Sequence, residues 1–145
     1  MSLAHVDEVL GIEREAFSNP WQRSDFEYAL GRSSALSVVV RQGGHLVGYA
    51  VGFFIRSEFH LANLAVRDAR RGEGIGHWLL ARVIDGVRAR GARVITLEVR
   101  VSNGPALALY EGSGFRQVAV QKDYYTHPKE DALVMIKPLL DDPWK

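Results

Sequence analysis

The stretch Arg70-Arg71-Gly72-Glu73-Gly74-Ile75-Gly76-His77 constrains this chain most, because the apolar pattern changes period across it. Before it, Leu61 to Val66 (Leu-Ala-Asn-Leu-Ala-Val) has strand character; after it, Ile75 to Arg90 repeats its apolar residues at helical spacing. A strand, a glycine-rich turn and a helix start bring several unpaired backbone N–H groups to one point, where the positive end of the helix dipole adds to them. Such a turn suits an anion, above all a phosphate. Glycines at 72, 74 and 76 carry no side chain, so an anion can approach the backbone closely. A plain strand-to-helix turn with solvent-facing arginines is the other reading of the loop by itself.

Spacing narrows the choice of phosphate. A Walker loop closes on Gly-Lys-Ser/Thr, whereas His77-Trp78 follows Gly76. The dinucleotide fingerprint requires a third glycine where Leu79 stands. Arg71-x-x-Gly74-x-Gly76 remains, and it resembles the motif with which GNAT acetyltransferases grip the pyrophosphate of coenzyme A.

A chain of 145 residues predicts a single domain, 1–145, large enough to bury roughly 68–70% of its unfolded surface. The net charge of +1 offers no electrostatic case for direct nucleic-acid binding. The absence of cysteine excludes disulfides, a thiolate nucleophile and the usual zinc cages, and it suits a reducing cytoplasm; no metal site is expected. Met1 to Glu15 lacks a basic segment followed by an apolar core, so no secretory signal is read there. The apolar run Leu46 to Ile55 is ten residues, too short to span a bilayer. A soluble cytoplasmic protein without a membrane partner is the expectation.

In chain order, Val6, Leu10, Ile12, Ala16 and Phe17 predict a first helix capped by Asp7. Ser18-Asn19-Pro20 breaks it, and Ser24-Asp25-Phe26-Glu27 has a capping-box pattern for a second helix to about Leu30. Phe17 and Trp21 flank that break, either stapling the helices together or forming a substrate lip. Leu36 to Arg41, His45 to Arg56 and Glu58 to Val66 predict an antiparallel meander with a turn at Gln42-Gly43-Gly44. The helix from Ile75 presents Ile75, Trp78, Leu79, Val83, Ile84 and Val87 on its apolar side and stops at Gly91. Val94 to Val99 is a buried-type strand, and Pro105 opens a short helix to about Glu111. Strands Arg116 to Gln121 and Ala132 to Ile136 flank a loop holding Asp123-Tyr124-Tyr125 and His127-Pro128. This order predicts a mixed α/β sheet with helices on both faces.

Three residues stand out chemically. Strand alternation puts Glu98 on a face with Val94 and Thr96. A carboxylate ending an apolar strand is desolvated and can serve as a general base, although a strand-end glutamate turned to solvent fits the same pattern. Tyr110, beside Leu107 and Phe115, carries a phenol able to protonate a leaving thiolate or to sit as an amphipathic core residue. Asn103 can cap the following helix or donate its amide to a ligand, capping being the default.

These residues fall in a pattern. Leu97-Glu98-Val99-Arg100-x-Ser102-Asn103, then Ala106-x-Ala108-Leu109-Tyr110 and Gly114-Phe115, resembles the second half of GNAT acetyltransferases of the RimI type, which acetylate the N-terminal alanine of a small-subunit ribosomal protein. Asn63-Leu64-Ala65-Val66, Phe17-x-x-Pro20-Trp21, Tyr124-Tyr125 and Glu130-Asp131-Ala132 extend the resemblance over nearly the whole chain.

The resemblance implies acetyl-coenzyme A as co-substrate and a protein N-terminus as acceptor. It implies a sheet, mostly antiparallel, that splays between the strands ending at Val66 and Val99. It makes Glu98 the proton acceptor and Tyr110 the proton donor. The backbone of Leu64, Ala65 and Val66 would pair with pantetheine. Arg71, Gly72, Glu73, Gly74, Ile75, Gly76 and His77 would hold the pyrophosphate, and Asn103 would contact coenzyme A. Trp21, Tyr124 and Tyr125 fall where the peptide is received. A monomer or weak dimer is expected, and lysine or small-amine acetylation, or a non-catalytic coenzyme sensor, are the rival functions. The family usually opens with a strand, for which only Met1 to His5 remain here, so a short or missing first strand is expected to leave a sheet edge exposed.

Overall fold

The computed structural model describes residues 1–139. Its sheet grows outward from β2 (His45–Ile55), a strand buried from Leu46 to Gly52. β1 (Ala35–Gln42) reaches β2 through Gly43-Gly44, both at positive φ (59° and 82°), the backbone that a tight two-residue hairpin turn demands and glycine supplies without strain. β3 (Glu58–Val66) pairs antiparallel with β2, completing the expected meander. Helix α3 (Ile75–Ala89) then returns the chain as β4 (Val94–Arg100), parallel to β3. After α4 (Gly104–Gly112), the hairpin β5 (Arg116–Thr126) and β6 (Lys129–Pro138) completes the order β1-β2-β3-β4-β6-β5.

Both faces are covered, as the order of elements predicted. On one, α1 (Val6–Ala16) and α2 (Arg23–Leu30) bury Val6, Val9, Ile12 and Phe26 against Leu46, Tyr49, Val51 and Ala65. On the other, Leu80, Val83 and Val87 of α3 meet Leu61, Ile95, Leu97 and Met135. Tyr110 and Phe115 close that core with their rings 5.6 Å apart at 61°.

Several local expectations are corrected. Trp78 is not on the apolar stripe of α3: it is 47% exposed, with the Arg82 guanidinium 5.7 Å from its ring, and Leu80 is buried instead. The reason is angular. Residues 79, 80, 83 and 87 share one side at 3.6 residues per turn, whereas 78, 82 and 85 share another. Asp7 lies inside the first turn of α1, paired with Arg23 of α2, while His5 is the residue at the cap position. Helix α2 begins at Arg23, and its third residue, Asp25, accepts the Gln22 N–H at 2.8 Å, so the capping pair lies two residues upstream of the Ser24 pattern. Tyr124 and Tyr125 belong to β5 rather than to a loop. No strand precedes α1 among the described residues; Leu3–His5 is a single 3-10 turn, and β1 is one edge of the sheet.

The feature that makes a site is the parting of β3 from β4. Their register covers only Glu58↔Val94, Phe59↔Ile95 and His60↔Thr96. Immediately beyond, β3 bulges at Ala62, since Val51 faces Asn63 while Gly52 faces Leu61. The bulge turns the strand over. Phe59 and Leu61 pack in the α3 core, whereas Asn63 and Ala65 face α1. From Leu61 onward the β4-facing edge of β3 has no strand beside it, as the expected splay requires.

Candidate active site

The loop between β3 and α3 is built from backbone. Gly72 and Gly74 have φ of 82° and 83°, and a Cβ at either would meet nothing within 4 Å, so conformation rather than crowding calls for glycine there. Gly76 sits against α4. Its Cβ would lie 3.4 Å from Leu109 Cδ2, in ordinary contact with α4. Among the described residues, the N–H groups of 72–77 donate to no protein acceptor, and Trp78 N–H is the first to do so, to the Gly74 carbonyl at 3.0 Å. Free donors at a helix start, with open space above the glycines, are a geometry suited to an anion. Arg70 is held by Glu73 at 2.9 Å and by Gln42, and Arg71 by Asp68 at 3.0 Å, so both guanidinium groups brace the loop. Arg70 in turn lowers the pKa of Glu73.

A cleft of about 850 Å³ opens where β3 and β4 part. Glu98 reaches it from β4 because Ile95, Leu97 and Val99 take the opposite, fully buried face. Glu98 is not alone: His60 Nε2 lies 2.6 Å from its Oε2. That hydrogen bond raises the His60 pKa, outweighing burial, which lowers it. Tyr124 stands beside Glu98, and burial first, then the carboxylate charge, raise its pKa. Tyr125 is pushed up to about 12, first by burial and then by Tyr124.

Tyr110 lines the other wall, 8% exposed, and burial raises its pKa, with a smaller effect of Tyr125 in the same direction. Among the described residues its hydroxyl has no hydrogen-bond acceptor. No side-chain N or O among the described residues is both buried and unpartnered, so that hydroxyl opens onto the cleft. Asn103 caps α4 by accepting Ala106 N–H at 3.2 Å and also lines the cleft, its amide NH2 group having no partner among the described residues.

The two lips are held by charged groups. Glu13 of α1, 1% exposed, accepts Trp21 N–H at 2.8 Å, the Asn63 amide at 2.8 and 3.0 Å, and the Tyr49 hydroxyl. It thereby fastens the α1–α2 loop to β2 and β3. Trp21 both staples and lines: its ring lies 5.0 Å from Phe26 and 6.3 Å from Phe53, on the cleft wall. Opposite, Arg100 lies 4.2 Å from the centre of the Tyr125 ring and donates to Glu130 at 3.1 Å, to the Pro128 carbonyl at 2.9 Å and to Ser18 Oγ at 3.2 Å. Tyr124 and Tyr125 are adjacent yet both line the cleft. A register shift between Gln121 and Tyr125, with Asp123 at φ 54°, breaks the alternation that would separate them.

Residues 6–115 match the model of the acetyltransferase (GNAT) family. The chain belongs to the GNAT acetyltransferases. It is 35% identical over 130 residues to the ribosomal protein bS18-alanine N-acetyltransferase of Escherichia coli K12, covering 88% of this chain and 87% of that protein. It is 38% identical over 141 residues to the N-alpha-acetyltransferase RimI of Mycobacterium tuberculosis, covering 93% and 87%. The crystal structure of the Escherichia coli ribosomal-protein-S18-alanine N-acetyltransferase superposes with a TM-score of 0.90 at 30% identity, over 98% of this chain and 92% of that one. A NatC complex bound to Gag peptide and CoA superposes with a TM-score of 0.82 at 27% identity, over 94% and 91%.

In this GNAT domain the cleft gathers Glu98, Tyr110, Asn103, Leu64, Trp21, Tyr124 and Tyr125. Residues 71–77 form the separate glycine turn at the head of α3. Ala65 and Val66 link the two along β3; the Ala65 side chain is buried against α1 and Val66 packs beside Ile75 and Leu79, leaving only their backbone for a ligand. His60, Glu13 and Arg100 were not singled out from the sequence. Each acts through a partner 30 to 50 residues away, which no local pattern displays. The one available signal was His60 at an alternating position of the strand that leads into the loop.

Proposed function

We propose that this GNAT acetyltransferase moves the acetyl group of acetyl-coenzyme A to a protein N-terminal α-amine, and that its acceptor is the N-terminal alanine of ribosomal protein bS18. The observation that carries the reading is the facing of Glu98 and Tyr110 across one cleft at the parting of β3 and β4. The relatives' names supply the acceptor.

The residues present fit the co-substrate. The free N–H groups of 72–77 suit its pyrophosphate, and the open edge of β3 at Leu64, Ala65 and Val66 offers peptide groups to pantetheine in the manner of an added strand. Asn103 adds an amide donor. Acetyl-coenzyme A supplies an activated thioester. Glu98 takes the proton that the acceptor nitrogen sheds as it bonds to the acetyl carbon. Tyr110, kept protonated by burial, gives its proton to the departing sulfur. A β3 N–H is available to stabilise charge on the carbonyl oxygen. With no cysteine in the chain there is no acetyl-cysteine intermediate, so transfer is direct. Holding both reactants together is worth up to roughly 7–11 kcal/mol in ideal cases.

Acceptor choice follows from proton affinity. An α-amine titrates near 7.7–8.0 and a lysine near 10.4, so freeing lysine at neutral pH costs about 3–4 kcal/mol more. Trp21, Tyr124 and Tyr125 would flank the incoming peptide. Such an acceptor places the reaction in the cytoplasm, and no helix among the described residues is long and apolar enough to cross a membrane.

Mass spectrometry of a bS18 N-terminal peptide after incubation with acetyl-coenzyme A tests the proposal. A single acetyl group on the alanine nitrogen is expected. Acetylation confined to lysine side chains or free polyamines would overturn the acceptor, and full turnover by Glu98→Gln would overturn the base.

A further inference from the structure

We infer that His60 is a positioning residue for acetyl transfer: its Nε2–H holds Oε2 of Glu98 so that Oε1 faces the acceptor amine, and protonation of the imidazole withdraws the carboxylate from proton acceptance. The inference rests on the proposed role of Glu98 as base.

The contact belongs to the fold. His60 is the last residue of β3 in register with β4, opposite Thr96, and Thr96 and Glu98 share a strand face. Two residues later the Ala62 bulge carries β3 away. Beside it, Gly52 lets the strands approach, since a Cβ there would lie 2.4 Å from the His60 carbonyl. The imidazole thus sits at the vertex of the splay, with its Nε2 against the carboxylate.

At 2.6 Å a proton must lie between Nε2 and Oε2. With Glu98 ionised, the neutral imidazole is therefore the Nε2–H tautomer, with its lone pair on Nδ1. In that state the pair carries one negative charge, which attracts an ammonium group and accepts its proton on Oε1. When Nδ1 gains a proton, the pair becomes a neutral carboxylate–imidazolium couple, and both the attraction and the basicity fall. Tyr124 is the other side chain that hydrogen-bonds Glu98, while the remaining charged groups on the cleft are committed elsewhere. Glu13 is held by Tyr49, Asn63 and Trp21, and Arg100 by Glu130. Burial keeps Tyr110, Tyr124 and Tyr125 neutral through the relevant range. Glu58, on the same strand, adds to Glu98 in favouring the imidazolium. The switch therefore lies above the ordinary imidazole value.

The test is the pH dependence of kcat, at saturating acetyl-coenzyme A and alanine peptide, for wild type, His60→Gln, His60→Phe and Glu98→Gln. Glutamine keeps an N–H at the Nε2 position without titrating. His60→Gln is expected to turn over a few-fold more slowly than wild type at about pH 8.5, yet to retain at about pH 6 a fraction of its own maximum roughly fivefold larger than wild type does. His60→Phe is expected to lose about tenfold or more across the whole range, with KM for acetyl-coenzyme A unchanged. NMR titration of His60 should place its midpoint above the usual value near 6.5 in wild type and lower in Glu98→Gln. If the normalised profiles of wild type and His60→Gln superimpose, or His60→Phe keeps its maximum, the inference fails. If instead Glu98→Gln retains wild-type turnover, the underlying assignment of the base fails.

Discussion

Replacing Glu13 by leucine should unfasten the α1–α2 lip at a calculable cost. The carboxylate accepts from the Tyr49 hydroxyl, the Asn63 amide and the Trp21 N–H, so its removal strands three donor groups. A stranded buried donor costs about 1–3 kcal/mol. Tyr49 is fully buried and bears the whole penalty, whereas Asn63 and Trp21 line the cleft, where water can relieve them. The sum is roughly 3–5 kcal/mol, a large share of the about 5–15 kcal/mol by which domains are stable. At about 3 °C per kcal/mol for a chain of this size, Tm should fall by roughly 10–15 °C in a calorimetric scan. Adding Tyr49→Phe should recover part of the loss, because one stranded donor disappears with its hydroxyl. A fall below about 3 °C, or strict additivity of the two changes, would refute the claim that Glu13 holds this lip by hydrogen bonding.

Three further outcomes are expected. Gly74→Ala forces a Cβ onto a backbone at φ 83°, costing about 1–2 kcal/mol and raising KM for acetyl-coenzyme A with little change in kcat, measurable by steady-state kinetics. Tyr110→Phe should lower kcat by about 10²-fold or more while shifting Tm by less than about 2 °C, since the hydroxyl makes no hydrogen bond among the described residues. The tyrosine pKa values are raised in the folded state, Tyr125 to about 12, so the unfolded chain gives up these protons first as pH climbs through about 10. Their stabilising contribution is complete below pH 10 and disappears as pH rises through the folded values; fluorimetric melts should show Tm falling above about pH 10, and Tyr49→Phe should flatten that fall.

The helical period after Gly74, the alternation of Val94 to Arg100 and the turn chemistry of Gly43-Gly44 and Gly91 are local properties, and they determined the elements, the glycine turn at the head of α3 and the face on which Glu98 sits. Local patterns also misled in defined ways. Trp78 looked apolar by type although its angle on α3 is that of Arg82, and Tyr124-Tyr125 looked like loop because the β5 irregularity near Asp123 interrupts alternation. What tertiary structure alone decided was the company each functional group keeps. His60 meets Glu98 because two strands stay in register for three pairs and then part; Glu13 meets Asn63 because a bulge turns β3 over; Arg100 reaches both lips because a distant hairpin and the α1–α2 loop converge on the end of β4. Periodicity assigns a side chain to a face of its own element, but which faces meet is settled by how elements separated by tens of residues are held against a common core.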